Sequence, residues 1–169
     1  MRKLLAVFLC LLLLGCSPTS KTEADPNIRY LDMIQLIEDY DAFETSSNTF
    51  DIAAEEAKID GGYRFYVIID NARSAMYDLE AIAIEANTDY TKTMAANIGI
   101  FEEKAYNLIP NQANTAKGYY EGVVVSGTTQ KNPTTLYVIV QWKNKDLSVL
   151  HREFFKLETS YNGAVIDEQ

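Results

Sequence analysis

Residues 63–70 read YRFYVIID, and this alternation constrains the fold more than any other stretch of the chain. Tyr63, Phe65, Val67 and Ile69 fall on one face of an extended segment, with Arg64, Tyr66, Ile68 and Asp70 on the other. A strand with one apolar face has to bury it, so a second layer is required. Residues 76–85 (MYDLEAIAIE) are apolar on both faces in their middle, as a strand covered on two sides would be. Three further runs follow in close order at 119–126, 134–142 and 149–157, with turn-rich residues 127–133 and 144–146 between them. Connections this short predict an antiparallel meander.

The remaining strand signals are weaker. Residues 50–59 (FDIAAEEAKI) favour helix by propensity, yet they run through Asp60-Gly61-Gly62 into the clear strand and are read as a first strand. Residues 98–101 and 106–109 are short strand candidates. Residues 87–97 read as a polar loop or helical turn, and 110–118 as a loop rich in Asn and Gln. The expected fold is mainly β, an antiparallel sandwich over residues 45–158, with a small α+β fold of helix on curved sheet as the alternative. Residues 159–169 have little pattern and read as a tail.

A helix precedes the strands. Asp25 is a good N-cap, and Pro26 at the first helical position loses no needed hydrogen bond. Ile28, Leu31, Ile34 and Ile37 recur at a spacing of three, which predicts an amphipathic helix to about Asp41 within a segment 26–44, packed on the domain through that stripe.

The N-terminus carries an address. Arg2 and Lys3 precede an apolar stretch, 4–14, that is shorter than the roughly 20 residues needed to span a bilayer. Basic residues before a short apolar run form a secretory signal. Leu13-Leu14-Gly15-Cys16 resembles the lipobox of bacterial lipoproteins. That resemblance implies cleavage of residues 1–15 and a diacylglyceryl group on Cys16. It further implies anchoring on the extracytoplasmic face of a cell membrane. Residues 17–25 (SPTSKTEAD) are small, polar and without periodicity, so 16–25 reads as a lipidated, flexible tether. Two acyl chains suffice for stable attachment, since each buried methylene contributes about 0.8 kcal/mol. Cys10 would leave with the signal, so the domain would have neither a free thiol nor a disulfide.

A second resemblance is local. Leu108-Ile109-Pro110, followed by Tyr119 or Tyr120 and then Val123 and Val125, is similar to the tyrosine-corner region of immunoglobulin-like and fibronectin type III domains. It implies an immunoglobulin-like sandwich in which a tyrosine ties a strand start to the loop before it.

Charge and motif narrow the function classes. The net charge is −9, which argues against nucleic acid, because phosphate binding needs a basic patch. His151 is the one histidine, too few for an ordinary structural zinc site, and it sits where a strand is expected. A Gly-x-Ser-x-Gly elbow and a phosphate-cradling loop are both absent, so no cofactor is implied. Glu55-Glu56, Glu102-Glu103 and Asp167-Glu168 are neighbours in sequence, but adjacent residues of a strand point to opposite faces and do not form a dyad. Asp70, Asn71, Asp89 and Asn111 lie in or beside expected loops and have the oxygen chemistry calcium takes.

The expected function is a membrane-anchored surface lipoprotein with a non-catalytic sandwich that binds an envelope protein or glycan. Asn111, Asn114, Tyr119 and Tyr120 are the expected contact residues, because rigid scaffolds concentrate binding on their loops. The alternatives are a carboxylate-based envelope hydrolase and a small accessory substrate-binding lipoprotein.

Overall fold

The structure is a computed structural model that describes residues 25–90 and 93–163. The signal sequence, the lipobox with Cys16 and nearly all of the tether lie outside the described residues, as do Asp167 and Glu168. Helix α1 spans Pro26–Glu38. Strands follow in the order β1 (Asp51–Ile59), β2 (Gly62–Asp70), β3 (Tyr77–Glu85), β4 (Ala96–Ile98), β5 (Gly122–Thr129), β6 (Thr134–Lys143) and β7 (Leu150–Thr159). They form two antiparallel sheets, β1-β2-β5 and β4-β3-β6-β7, packed face to face as a β-sandwich. The first, second and fifth strands share one sheet, and the third, sixth and seventh share the other, a division that an immunoglobulin-like order gives.

The core has two parts because one sheet is covered twice. Phe65, Val67 and Ile69 of β2 and Val123 and Val125 of β5 face Leu79, Ala81 and Ala83 of β3 and Val138 and Val140 of β6 between the sheets. On the far side of the four-stranded sheet, Ile82, Ile84 and Ile139 pack under Met33, Ile34 and Ile37 of α1. This accounts for the continuous burial of β3 from Leu79 to Ile84 that its apolar middle predicts. The alternating face of β2 is equally plain, with Phe65, Val67 and Ile69 buried and the residues between them half-buried.

The helix begins as the sequence predicts, with the Asp25 carboxylate accepting from Asn27 N at 2.8 Å and Pro26 in the first turn. Its buried stripe differs from the expected one. Tyr30, Met33, Ile34 and Ile37 face the sheet, whereas Ile28 and Leu31 are 56% and 58% exposed. Tyr30 wins the inward position because its hydroxyl accepts from Ala95 N at 2.7 Å and its ring meets Phe101. The helix also stops at Glu38, before Asp41, since Tyr40 and Phe43 leave the helical path to pack on Phe154 and Tyr137.

Other expectations are corrected. The three late runs do not form a meander. β6 and β7 pair as a hairpin, but β5 joins β2 in the opposite sheet, so the short β5–β6 connection crosses the sandwich. Val123 and Val125 thereby oppose the β6 apolar face rather than lying beside it. Residues 98–101 are not a strand: β4 ends at Ile98, where Gly99 turns with φ +82° and places Ile100 under the helix. Residues 106–109 make single bridges, Leu108 to Met76 and Asn107 to Tyr119. Residues 119–121 precede β5, which runs on to Thr129. Thr159 ends β7 and is buried, so the tail starts after it. Among the described residues, no helix is long and apolar enough to cross a membrane.

Candidate functional site

The antiparallel order brings one set of strand ends together. The starts of β1, β3, β5 and β7 and the ends of β2 and β6 lie at one end of the sandwich, as the pairs Asp51–Asp70, Asp70–Gly122, Tyr77–Lys143 and Lys143–Leu150 require. At this end an open groove of about 960 Å³ runs between the β2–β3 loop and residues 108–113, with Tyr120, Glu121 and Gly122 along it.

A chain of local interactions shapes it. The two-residue turn after Ile59 sets the β1–β2 register, and counting outward places Asp51 directly opposite Asp70. Two like charges so placed destabilise a sheet. The strain is relieved from the next loop: Asn71 Nδ2 donates to Asp51 Oδ2 at 2.6 Å, and the Arg73 guanidinium pairs with Asp51 Oδ1. The Asn71 amide first, and Arg73 second, hold the Asp51 carboxyl below the usual carboxylate range. Asn71 takes a left-handed backbone, φ +49°, and Arg73 N donates to Thr49 O at 2.7 Å, which fixes the loop over the sheet end.

The opposite wall hangs on Asn107. Its Oδ1 accepts from Asp78 N, its Nδ2 donates to Gly118 O, and its backbone pairs with Gly118 and Tyr120. One largely buried amide thus staples residues 108–120 to the start of β3. Asn111 is also left-handed, φ +58°, at a turn closed by Gln112 N donating to Ile109 O. The Tyr120 ring leans on Tyr106 with centroids 5.0 Å apart, and burial, with Glu102 and Tyr120 nearby, raises the Tyr106 phenol.

Of the expected contact residues, Asn111 and Tyr120 line the groove. Asn114 and Tyr119 do not; they bond to each other through both backbone groups and form the neck of a small loop around a 3₁₀ turn, Thr115–Lys117. Both tyrosines precede β5, and Tyr120 is tied to the loop before it through its backbone N–H, which donates to Asn107 O. Three of the four candidate calcium residues, Asp70, Asn71 and Asn111, share the groove, while Asp89 follows the far end of β3. Among the described residues, no three His, Cys, Asp or Glu side chains converge as a metal site. Asp51, Arg73, Gln112 and Glu121 were not singled out in the sequence. The turn at Asp60-Gly61 was the available signal for Asp51, since it dictates the register.

His151 is exposed at the same end of the sandwich, stacked on Trp142 at 5.5 Å directly across the β6–β7 pair. Glu56 belongs to the other end. It points inward from β1 beside Thr134, and neither carboxyl oxygen has a hydrogen-bond partner, the Thr134 hydroxyl donating instead to Lys131 O. Burial pushes its carboxyl up, Thr134 offsets part of this, and the charge of Glu85 adds to it. A second open groove, of about 840 Å³, lies at this end and is lined by Phe65, the cross-strand partner of Glu56, and by Glu85, although Glu56 itself does not line it.

A further polar chain lies beneath α1. Arg29 Nε approaches Glu80 Oε1 at 3.1 Å, Gln141 Nε2 donates to Glu80 Oε2 at 2.5 Å, and Arg152 Nε donates to Gln141 Oε1 at 3.0 Å. It ties the helix to three elements and has a structural explanation.

No protein-family model, curated protein or solved structure matches this chain.

Proposed function

We propose that this chain is a surface lipoprotein, anchored through a diacylglyceryl group on Cys16, whose non-catalytic β-sandwich binds another molecule of the bacterial envelope at its loop end. The observation that carries the reading is the groove. It gathers Asn111 and Tyr120, expected contacts from the sequence, with Asp70, Asn71 and Arg73 on a rigid scaffold. The signal-like residues 1–15 and the lipobox supply the address, and the lipid concentrates the domain where envelope partners are. The function is presentation: a pre-shaped polar surface held at a membrane.

The test is crosslinking of intact cells that carry the tagged full-length protein, with Cys16→Ala as the unanchored form and Tyr120→Ala as the groove variant. A partner captured by the wild type, and lost or sharply reduced in both variants, supports the reading. Equal partitioning of wild type and Cys16→Ala between membrane and soluble fractions overturns the anchor. Capture that is unchanged in Tyr120→Ala overturns the groove as the contact.

A further inference from the structure

We infer that the groove takes a neutral polyhydroxylated ligand, a stretch of uncharged glycan, laid across Tyr120 and held by Asp70, Asn71 and Asn111. The inference rests on reading the loop end as a binding surface and adds the ligand class.

Charge excludes an anion. Asp51, Asp70 and Glu121 line the groove against Arg73 alone, whose guanidinium is already committed to Asp51. A phosphate, a sulfated chain or an acidic peptide would meet uncompensated carboxylates. An apolar ligand is disfavoured too, because the lining is dominated by carboxylates and amides that would lose water without replacing its hydrogen bonds. A cationic peptide is the nearest competitor, but Arg73 stands in the groove and one of the three carboxylates is neutralised.

What remains is a ligand that donates and accepts along its whole length without net charge. The Asp70 carboxylate can accept two or more bonds from hydroxyls, and Asn111 offers two donors and an acceptor. Asn71, with one donor spent on Asp51, keeps one donor and its acceptor, so the lining matches vicinal hydroxyl groups in both senses. The positions are held before any ligand arrives. Asn71 and Asn111 are fixed in left-handed turns, and Gly122 sits so close to Asp70 that an added Cβ would lie 2.7 Å from the Asp70 Cβ. Tyr120 supplies an amphipathic ring for the C–H face of a sugar, steadied by Tyr106 from outside the groove lining. The opposed Asp51–Asp70 pair also breaks a rule of sheet stability, and such violations gather at functional sites.

The test is an array that displays neutral oligosaccharides (gluco-, manno- and chito-series), sulfated and uronic-acid glycans, and Lys/Arg-rich peptides. It is probed with the full-length protein in detergent micelles. Binding to at least one neutral glycan is expected. Asp70→Asn and Asn111→Asp, which keep size and backbone conformation, should each weaken it by about tenfold, with thermal melts unchanged. Binding confined to anionic glycans or cationic peptides overturns the inference, as does neutral-glycan binding that both variants leave intact. An empty array overturns it as well. If cell crosslinking through the groove still captures a protein, the binding reading survives and only the ligand class fails. If the groove variants alter neither assay, both fail.

Discussion

Two carboxylates on one strand meet opposite fates at the two ends of the sandwich. Asp51 begins β1 on the outward face, in solvent, held ionised by Asn71 and Arg73. Glu56, five residues on, points inward and is buried beside Thr134, where burial favours its neutral form. The ends are closed by different chemistry. Under the loop end, Phe50 meets Trp142 and Phe155 edge-on at 5.6 and 5.7 Å. The other end is finished with Thr129, Thr134, Thr159 and Glu56, all buried. The loop end therefore has an apolar floor and keeps its polar groups outside, paired with one another in solvent. The far end uses its polar groups to close the core.

Removing the aromatic floor tests this contrast most severely. Phe50→Ala should cost about 3–5 kcal/mol in urea unfolding, because the ring is fully buried and its cavity cannot collapse onto the two aromatic neighbours. A loss below about 1 kcal/mol would mean that the floor is not structural. The far end should respond in the other direction. Glu56→Gln should stabilise the protein at pH 7 by about 1 kcal/mol, by removing a charge that has no partner. The sign follows from linkage. The folded-state pKa lies above the unfolded value, so wild-type stability falls as pH rises from the unfolded pKa through the folded one. Melting curves of the two proteins should converge as pH drops into the carboxylate range, and a gap independent of pH would refute the assignment.

At the groove the effects on stability are smaller. Tyr120→Ala should cost about 1 kcal/mol, the worth of one aromatic contact on a half-buried ring, while abolishing capture of the partner. Parallel loss of both would mark Tyr120 as core. Arg73→Ala should lower the melting temperature slightly at neutral pH, with the difference vanishing on acidification. Asp51 has a depressed folded-state pKa, so its contribution is present above the unfolded value and is lost as pH falls through the folded one. A difference that grew at low pH would reverse the argument. Opposite pH trends in Glu56→Gln and Arg73→Ala are the sharpest signature that the two ends differ in kind.

Much of the fold was legible where a local period was strong. The β2 alternation, the doubly apolar β3, the Asp25-Pro26 helix start and the β6–β7 hairpin all stand where the residues place them. Residues 50–59 were read correctly as strand against their helical propensity, because the turn at Asp60-Gly61 committed them to pair with β2. Half of the expected contact set was placed in the groove. Asn111 and Tyr120 arrived there, whereas Asn114 and Tyr119 were consumed by the backbone pairing of their own loop.

The sequence by itself determined the class of the fold, the positions of most strands and the charge that argues against nucleic acid, because each follows from patterns within a few residues. Only the tertiary structure decided which sheet β5 joins, since a strand with one apolar face satisfies either partner locally and the choice rests on what it opposes across the core. It likewise decided which of two neighbouring apolar stripes of α1 turned inward. Ile28 and Leu31 are as hydrophobic as the winners, but Tyr30 alone finds a hydrogen bond on Ala95 beneath it. The groove is of the same kind. Its walls come from residues as far apart as Asp51 and Glu121, and long-range pairing alone makes them neighbours.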